Sequence, residues 1–210
     1  MAHLILIRHG TTVWNKLGKW TGHAEADLAE EGIQEARAAG EALKDMQIDS
    51  AYVADLRRAQ QTFIEICSVL AKPDIKTVIH PAIKERNYGV HTGKNKWEVK
   101  KEIGEERFQA IRRGWDVPIP EGETLKDVYN RVKPYYESTI KPELLAGRNI
   151  VIVSSGNALR ALVKHLEDIP EEKISDLEIG LGEVHIYLLD EKGGVLKKEL
   201  RASNPKKGKI

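Results

Sequence analysis

The residues best suited to chemistry stand together near the start of the chain. Arg8 and His9 follow the apolar run Leu4-Ile5-Leu6-Ile7 and precede Gly10. An arginine offers a planar fork of N–H donors that matches phosphate oxygens. A neutral histidine offers a nucleophilic ring nitrogen. The glycine lets the backbone come close to a ligand. Taken alone, the tripeptide reads equally as a strand that ends in two ordinary polar residues. A second stretch repeats its layout: Ile150-Val151-Ile152-Val153 runs into Ser154-Ser155-Gly156-Asn157. Residues 158–166 follow with helical periodicity, so Gly156 and Asn157 open a helix whose N-terminal N–H groups attract an anion. Two strand ends of this kind, side by side, make a phosphate pocket.

Further charged side chains could serve the same pocket. Arg58 falls in the first turn of a helix that Asp55 could cap. A cation there opposes the helix dipole, which suggests a bound anion; a solvated arginine, as expected for Arg57, is the plainer reading. Glu85 has basic neighbours and reads either as a surface ion pair or as a proton donor, a role that burial favours by raising a carboxyl pKa. The basic segment 90–120 carries Trp97 and Trp115 together with Lys96, Arg112 and Arg113. It is either a solvated face or a lid over a second anionic group. The polar stretch 11–27, which holds Asn15, Thr21 and Gly22, reads as irregular.

The elements needed to position these groups alternate in type. The run 4–7 is short, β-branched and bounded by glycine, as in a buried strand of a parallel sheet. Helical periodicity spans Leu28–Leu43, with Ile33, Ala36, Gly40 and Leu43 on one stripe. A strand at Ala51–Val53, a helix to Leu70 and a strand at Lys76–Ile79 come next. A long helix runs from Thr124, with Asp127 completing a capping box, to Leu145, and Pro134 and Pro142 kink or break it. After 150–166, a helical turn at 170–174, a loop at 180–182 and a hairpin of Val184–Leu189 with Val195–Leu200 complete the pattern. This is an α/β chain with a three-layer architecture, a mostly parallel central sheet and helices on both faces. In such sheets ligands gather beyond the carboxyl ends of the strands.

Composition narrows the setting. With 210 residues, 41% hydrophobic and 31% charged, residues 1–210 are expected to form one globular domain with a mobile basic tail at 204–210. The net charge of +1 gives no whole-chain attraction to nucleic acid or to an acidic membrane surface. No apolar run approaches the roughly 20 residues of a membrane span. Cys67 stands alone and no signal-peptide pattern leads the chain, so the cytoplasm is the expected location. The seven histidines show no zinc-ligand spacing. His165 is expected on an exposed helix end and His185 in a structural strand position.

Arg8-His9-Gly10 resembles the signature of the histidine phosphatase superfamily. Leu56-Arg57-Arg58-Ala59, Lys84-Glu85-Arg86-Asn87-Tyr88-Gly89, Gly93-Lys94-Asn95-Lys96, Arg112-Arg113-Gly114 and residues 156–164 resemble, in this order, its cofactor-dependent phosphoglycerate mutase branch. The resemblance implies a phosphoglycerate mutase-like fold that interconverts 2- and 3-phosphoglycerate. It implies His9 as the residue that carries the phosphoryl group, Arg8 and Arg58 (rather than Arg57) as its clamps, and Glu85 as general acid and base. Asn15, Thr21, Gly22, Tyr88, Lys96, Arg112, Arg113, Gly156 and Asn157 become substrate ligands. A 2,3-bisphosphoglycerate primer is implied and a metal is not, because arginines supply the positive charge. The partners implied are small phosphoglycerates, with a homo-oligomer left open. One position departs from the pattern: the family's second pocket histidine falls at Ser155. That departure implies impaired turnover, and it keeps two other readings open, a phosphatase for another small phosphate ester and a catalytically silent phospho-ligand binding protein.

Overall fold

The computed structural model describes residues 1–204. Its centre is a six-stranded sheet of order β3-β2-β4-β1-β5-β6, formed by β1 (Ala2–Arg8), β2 (Ser50–Ala54), β3 (Lys76–His80), β4 (Ile150–Ser154), β5 (Val184–Leu189) and β6 (Val195–Arg201). Strands β1 to β4 run parallel, and β5 and β6 add an antiparallel edge. Parallel neighbours need helical crossovers. Helices α2 (Glu30–Glu41) and α3 (Arg57–Leu70) pack on each other, as do α6 (Leu125–Tyr135) and α8 (Gly156–Leu166). The chain moves toward β3 through the first pair and back toward β5 through the second, so right-handed crossovers set the pairs on opposite faces.

The register of β1 on β4 decides where the chemistry lies. Arg8 pairs with Ser154, so both strands end at the same level. His9 N–H donates to the Ser154 carbonyl at 2.9 Å, which carries the pairing one residue past the sheet. The loop that follows lies backbone against backbone on α2. A Cβ at Gly10 would stand 2.2 Å from the Gly32 carbonyl oxygen, and one at Gly32 would stand 2.0 Å from the Thr11 oxygen. Glu35, one turn along α2, accepts the Thr11 N–H at 2.6 Å.

A smaller apolar cluster sits beside the main core. Trp20, Val99, Phe108, Ile111 and Ile119 form it, with Tyr88 against its side. It fastens α4 (Lys96–Ile103) and α5 (Glu105–Arg113) over the carboxyl end of the sheet.

Several expectations change in the folded chain. The stretch 11–27 is not wholly irregular: Thr12 and Asn15 form a capping box around α1 (Val13–Lys16). Asp55 does not cap α3; it pairs with Lys84 at 3.1 Å, and the Arg57 N–H at that helix start donates to Glu25. The two prolines do not break the long helix. A π-helical turn, Tyr136–Ile140, links α6 to α7 (Lys141–Leu145), an adjustment typical of a helix whose regular bonding is interrupted. His165 is not on an exposed end but half-buried, 2.6 Å from Glu137. Asn204, expected to begin a mobile tail, donates to the Leu181 carbonyl at 3.0 Å; positions 205–210 lie outside the described residues.

The contact between Gly10 and Gly32 gives a direct test. Gly32→Ala pushes a methyl group into backbone that has no rotamer to give, and is expected to destabilise the fold by about 1–3 kcal/mol, read as a lower denaturant midpoint with an unchanged slope.

Candidate active site

The site forms where β1, β4 and the N-terminus of α8 meet the loops around residues 20–24 and 83–88. His9 is buried. Its Nδ1 lies 2.7 Å from the Gly10 carbonyl oxygen, which can only accept, so the proton sits on Nδ1. Nε2 is left as the free lone pair. The Arg58 Nε–H points at it from 3.2 Å. Burial, then Arg58, then Arg8 hold the imidazole pKa well below its ordinary value, and the Gly10 bond offsets this only in part. The ring is therefore neutral near pH 7, as a nucleophile must be.

Arg58 is itself buried, and each of its three nitrogens has a partner, which leaves one further N–H on each Nη. Nη2 donates to the Gly22 carbonyl at 2.8 Å, Nη1 to the Ala24 carbonyl at 3.1 Å, and Nε is shared between His9 and the Ser155 Oγ at 3.3 Å. The loop of Thr21 and Gly22 thus anchors this arginine as well as lining the His9 cavity. Gly22 has φ +53°, and a Cβ there would meet Tyr88 at 3.1 Å. Arg57, one residue away, is exposed and only 3.4 Å from Asp27.

Arg8 donates from Nη1 to the Ile179 carbonyl at 2.6 Å, and its Nε has no partner among the described residues. Its guanidinium lies over Gly156, where an added Cβ would stand 3.4 Å away. Glu85 accepts N–H bonds from Arg86 at 2.7 Å and from Asn157 at 3.2 Å. The N-terminus of α8 therefore holds the protein's own carboxylate at the edge of the cavity that holds His9. Asn157 also donates from Nδ2 to the Tyr88 hydroxyl at 2.9 Å. Ser155 is the buried N-cap residue of α8, and its Oγ makes no capping bond to the helix.

A second, larger cavity opens next to the first and shares Arg8, Asn15, Trp20, Glu85, Tyr88 and Lys96 with it. Its far wall holds Arg112, Arg113, Gly156 and Asn157. All the residues anticipated from the sequence line one or both cavities except Ser155, which lies behind them against Arg58.

Other contributors were missed, Lys19, Ile179 and Leu181 on the cavity walls among them. Arg160 lines the larger cavity, buried, with Nη1 on Asn157 at 2.8 Å and Nε without a partner among the described residues. Burial pushes its pKa down to about 10. The Asn157–Arg160 spacing of i, i+3 on a helix start was the available signal. Trp20 and Glu178 line the same cavity, and only the tertiary fold brings them there. Arg131 on α6 fixes the Glu85 segment, donating to the carbonyls of Ala82, Lys84 and Glu85.

This geometry defines a class. Residues 4–200 match the histidine phosphatase superfamily (branch 1), and the chain belongs to that family. Within it, the chain is 41% identical over 199 residues to the 2,3-bisphosphoglycerate-dependent phosphoglycerate mutase of Parvibaculum lavamentivorans, covering 94% of this chain and 95% of the relative. The phosphoglycerate mutase of Schizosaccharomyces pombe is also 41% identical, over 94% of each. Among solved structures, the alpha-ribazole phosphatase from Shigella flexneri is 27% identical with a TM-score of 0.79 over 96% of both chains. A mycobacterial glucosyl-3-phosphoglycerate phosphatase, 23% identical over 95% of this chain and 97% of its own, shares the fold with a TM-score of 0.81.

The contrast between neighbouring arginines is testable. Arg58→Ala is expected to weaken binding of inorganic phosphate by tenfold or more, on the order of 1.5–3 kcal/mol for a charged hydrogen-bond donor, while Arg57→Ala changes it less than about twofold. Equal losses in a titration would refute the assignment.

Lys96 supplies a pH signature. Burial, then Arg112 and Arg8, push its pKa down to about 7. An anion beside it favours the charged form and raises that pKa. From about pH 7 upward the free lysine is neutral while the bound one is charged, so binding takes up a proton and affinity falls with rising pH. Calorimetry of 3-phosphoglycerate binding in buffers of different ionisation enthalpy is expected to show this uptake at about pH 8 and little at about pH 5.5. Lys96→Arg, charged throughout, is expected to abolish it.

Proposed function

We propose that this chain interconverts 2- and 3-phosphoglycerate through a phosphohistidine at His9, at a rate held down by Ser155. The observation that carries the reading is the state of His9: a buried, neutral ring whose free Nε2 faces Arg58, next to a cavity walled by Arg8, Lys96, Arg112 and Arg113. The relatives named as phosphoglycerate mutases, matched over nearly their full length, support it.

His9 Nε2 attacks phosphorus, and the bond from phosphorus to the ester oxygen breaks. Arg8 and Arg58 hold the phosphoryl oxygens through the transfer, which needs positioning and charge more than further covalent chemistry. Glu85, reaching into both cavities, gives a proton to the departing oxygen and takes one from the hydroxyl that attacks in the return step. Lys96, Arg112 and Arg113 receive the other anionic end of the ligand, so the two ends are read by different walls. A 2,3-bisphosphoglycerate primer supplies the phosphoryl group that loads His9. The reading assigns the chain to glycolysis and gluconeogenesis in the cytoplasm, in keeping with the lone Cys67.

Ser155 places a short hydroxyl beside Arg58 where the family pattern has an imidazole. A serine gives one hydrogen bond, carries no charge and reaches less far. Loss of one transition-state donor of this kind costs on the order of 10²–10³ in rate. Primed mutase turnover of Ser155→His is therefore expected to exceed that of the present chain by a factor of that order. Phosphate release outrunning isomerisation in both proteins would favour a phosphatase. Binding of phosphoglycerate without turnover in either would favour a silent binding protein.

A further inference from the structure

Glu85 has a proton to move, but a second carboxylate on the wall of an anion-binding cavity only works against its charge, yet Glu178 stands there. Its Oε1 accepts from the Arg113 Nη2 at 2.8 Å, and both side chains are largely buried. The pair is well anchored. The next residue, Ile179, holds Arg8 through its carbonyl. Arg160 bonds the Ile174 carbonyl at 2.6 Å and the Arg113 carbonyl at 2.9 Å, tying the Glu178 segment and the end of α5 to α8. The charge of Glu178 is also felt beyond its partner, since it helps keep Arg8 and Arg112 protonated.

We infer that Glu178 is a specificity-determining residue: by holding Arg113 in an internal ion pair, it lowers the positive charge offered to the ligand's far end and tunes the cavity toward a ligand with one phosphate and against one with two. The inference rests on the proposed function for the placement of the ligand. The two ends of the ligand meet different surroundings. The phosphoryl group at His9 faces Arg58, which is pinned to the carbonyls of Gly22 and Ala24. The far end faces Arg113, which is already paired. A dianionic phosphate at that end must share Arg113 with a fixed carboxylate, and like charges at this range in a half-buried site repel appreciably. On the protein with His9 unphosphorylated, a monophosphate can set its phosphate at His9 and its monoanionic carboxylate at the far end, which suffers less. The doubly phosphorylated species is thereby kept from binding so tightly that it could not turn or leave between half-reactions.

Glu178→Gln tests this, because glutamine keeps the oxygen that accepts from Arg113 and removes the charge. Titration calorimetry at fixed ionic strength would compare the two proteins with 2,3-bisphosphoglycerate, 3-phosphoglycerate and inorganic phosphate. The bisphosphate is expected to bind about tenfold more tightly to the variant, 3-phosphoglycerate about threefold and inorganic phosphate within about twofold. Glu178→Asp, which keeps the charge, is expected to retain the original order of affinities. Equal shifts for all three ligands, no shift, or a uniform loss with a lower melting temperature would overturn the inference and leave Glu178 a structural strut. If neither protein bound either phosphoglycerate, the inference would fall together with the proposed function. If the selectivity shift appeared but Ser155→His gave no turnover, the proposed function alone would fall.

Discussion

The structure depends on burying guanidinium groups without giving up their charge. Arg58, Arg86 and Arg160 are all buried, and a buried cation is tolerated only when hydrogen bonds replace its water. Backbone carbonyls do most of that here. Gly22 and Ala24 serve Arg58, Ile111 serves Arg86, Ile174 and Arg113 serve Arg160, and Ile179 serves the partly buried Arg8. Carbonyls take up part of the donor set without cancelling the charge, while Nε of Arg8, Arg86 and Arg160 and Nη1 of Arg86 have no partner among the described residues. The loops are held by the same side chains that face the ligand, so the shape of the cavity and its potential are set together.

That arrangement accounts for the state of His9. A lone buried imidazole has little reason to face two arginines unless the fold forces it. The close contact of Gly10 with Gly32, the Thr11–Glu35 bond and the Nδ1 bond to Gly10 fix the ring before any ligand arrives. The cost is concentrated positive charge, relieved in part by Glu85 at the α8 N-terminus and Glu178 on Arg113. Both carboxylates therefore shape what the cavity accepts, in addition to the proton transfer proposed for Glu85.

Ser155 bears on the same balance. It lies fully buried behind the cavity and accepts from the Arg58 Nε, a donor that also serves His9. An uncharged hydroxyl there leaves the contacts of Arg58 with Gly22 and Ala24 intact and, on the proposed function, removes only a charge-bearing partner for the transferring group. Binding and covalent chemistry are thus separable at this position in a way they are not at Arg58.

The sequence by itself determined the alternation of elements, the two pocket strands, the helix opened by Gly156 and Asn157, and the cluster of Arg8, His9, Arg58 and Glu85. The first three follow from periodicity and from local motifs whose residues stay neighbours in space, whereas the cluster was implied by the family resemblance, since its members lie far apart along the chain. The signals failed where one residue's partner lies far along the chain. Asp55 looked like a cap but found Lys84. His165 looked exposed but found Glu137. Glu178 carried no mark of function until the fold set it against Arg113, 65 positions earlier. Which nitrogen of His9 is free, which arginine is pinned and which is already paired are decided by carbonyls and carboxylates brought in from other elements. Local sequence encodes the donors, and only the tertiary structure assigns their acceptors.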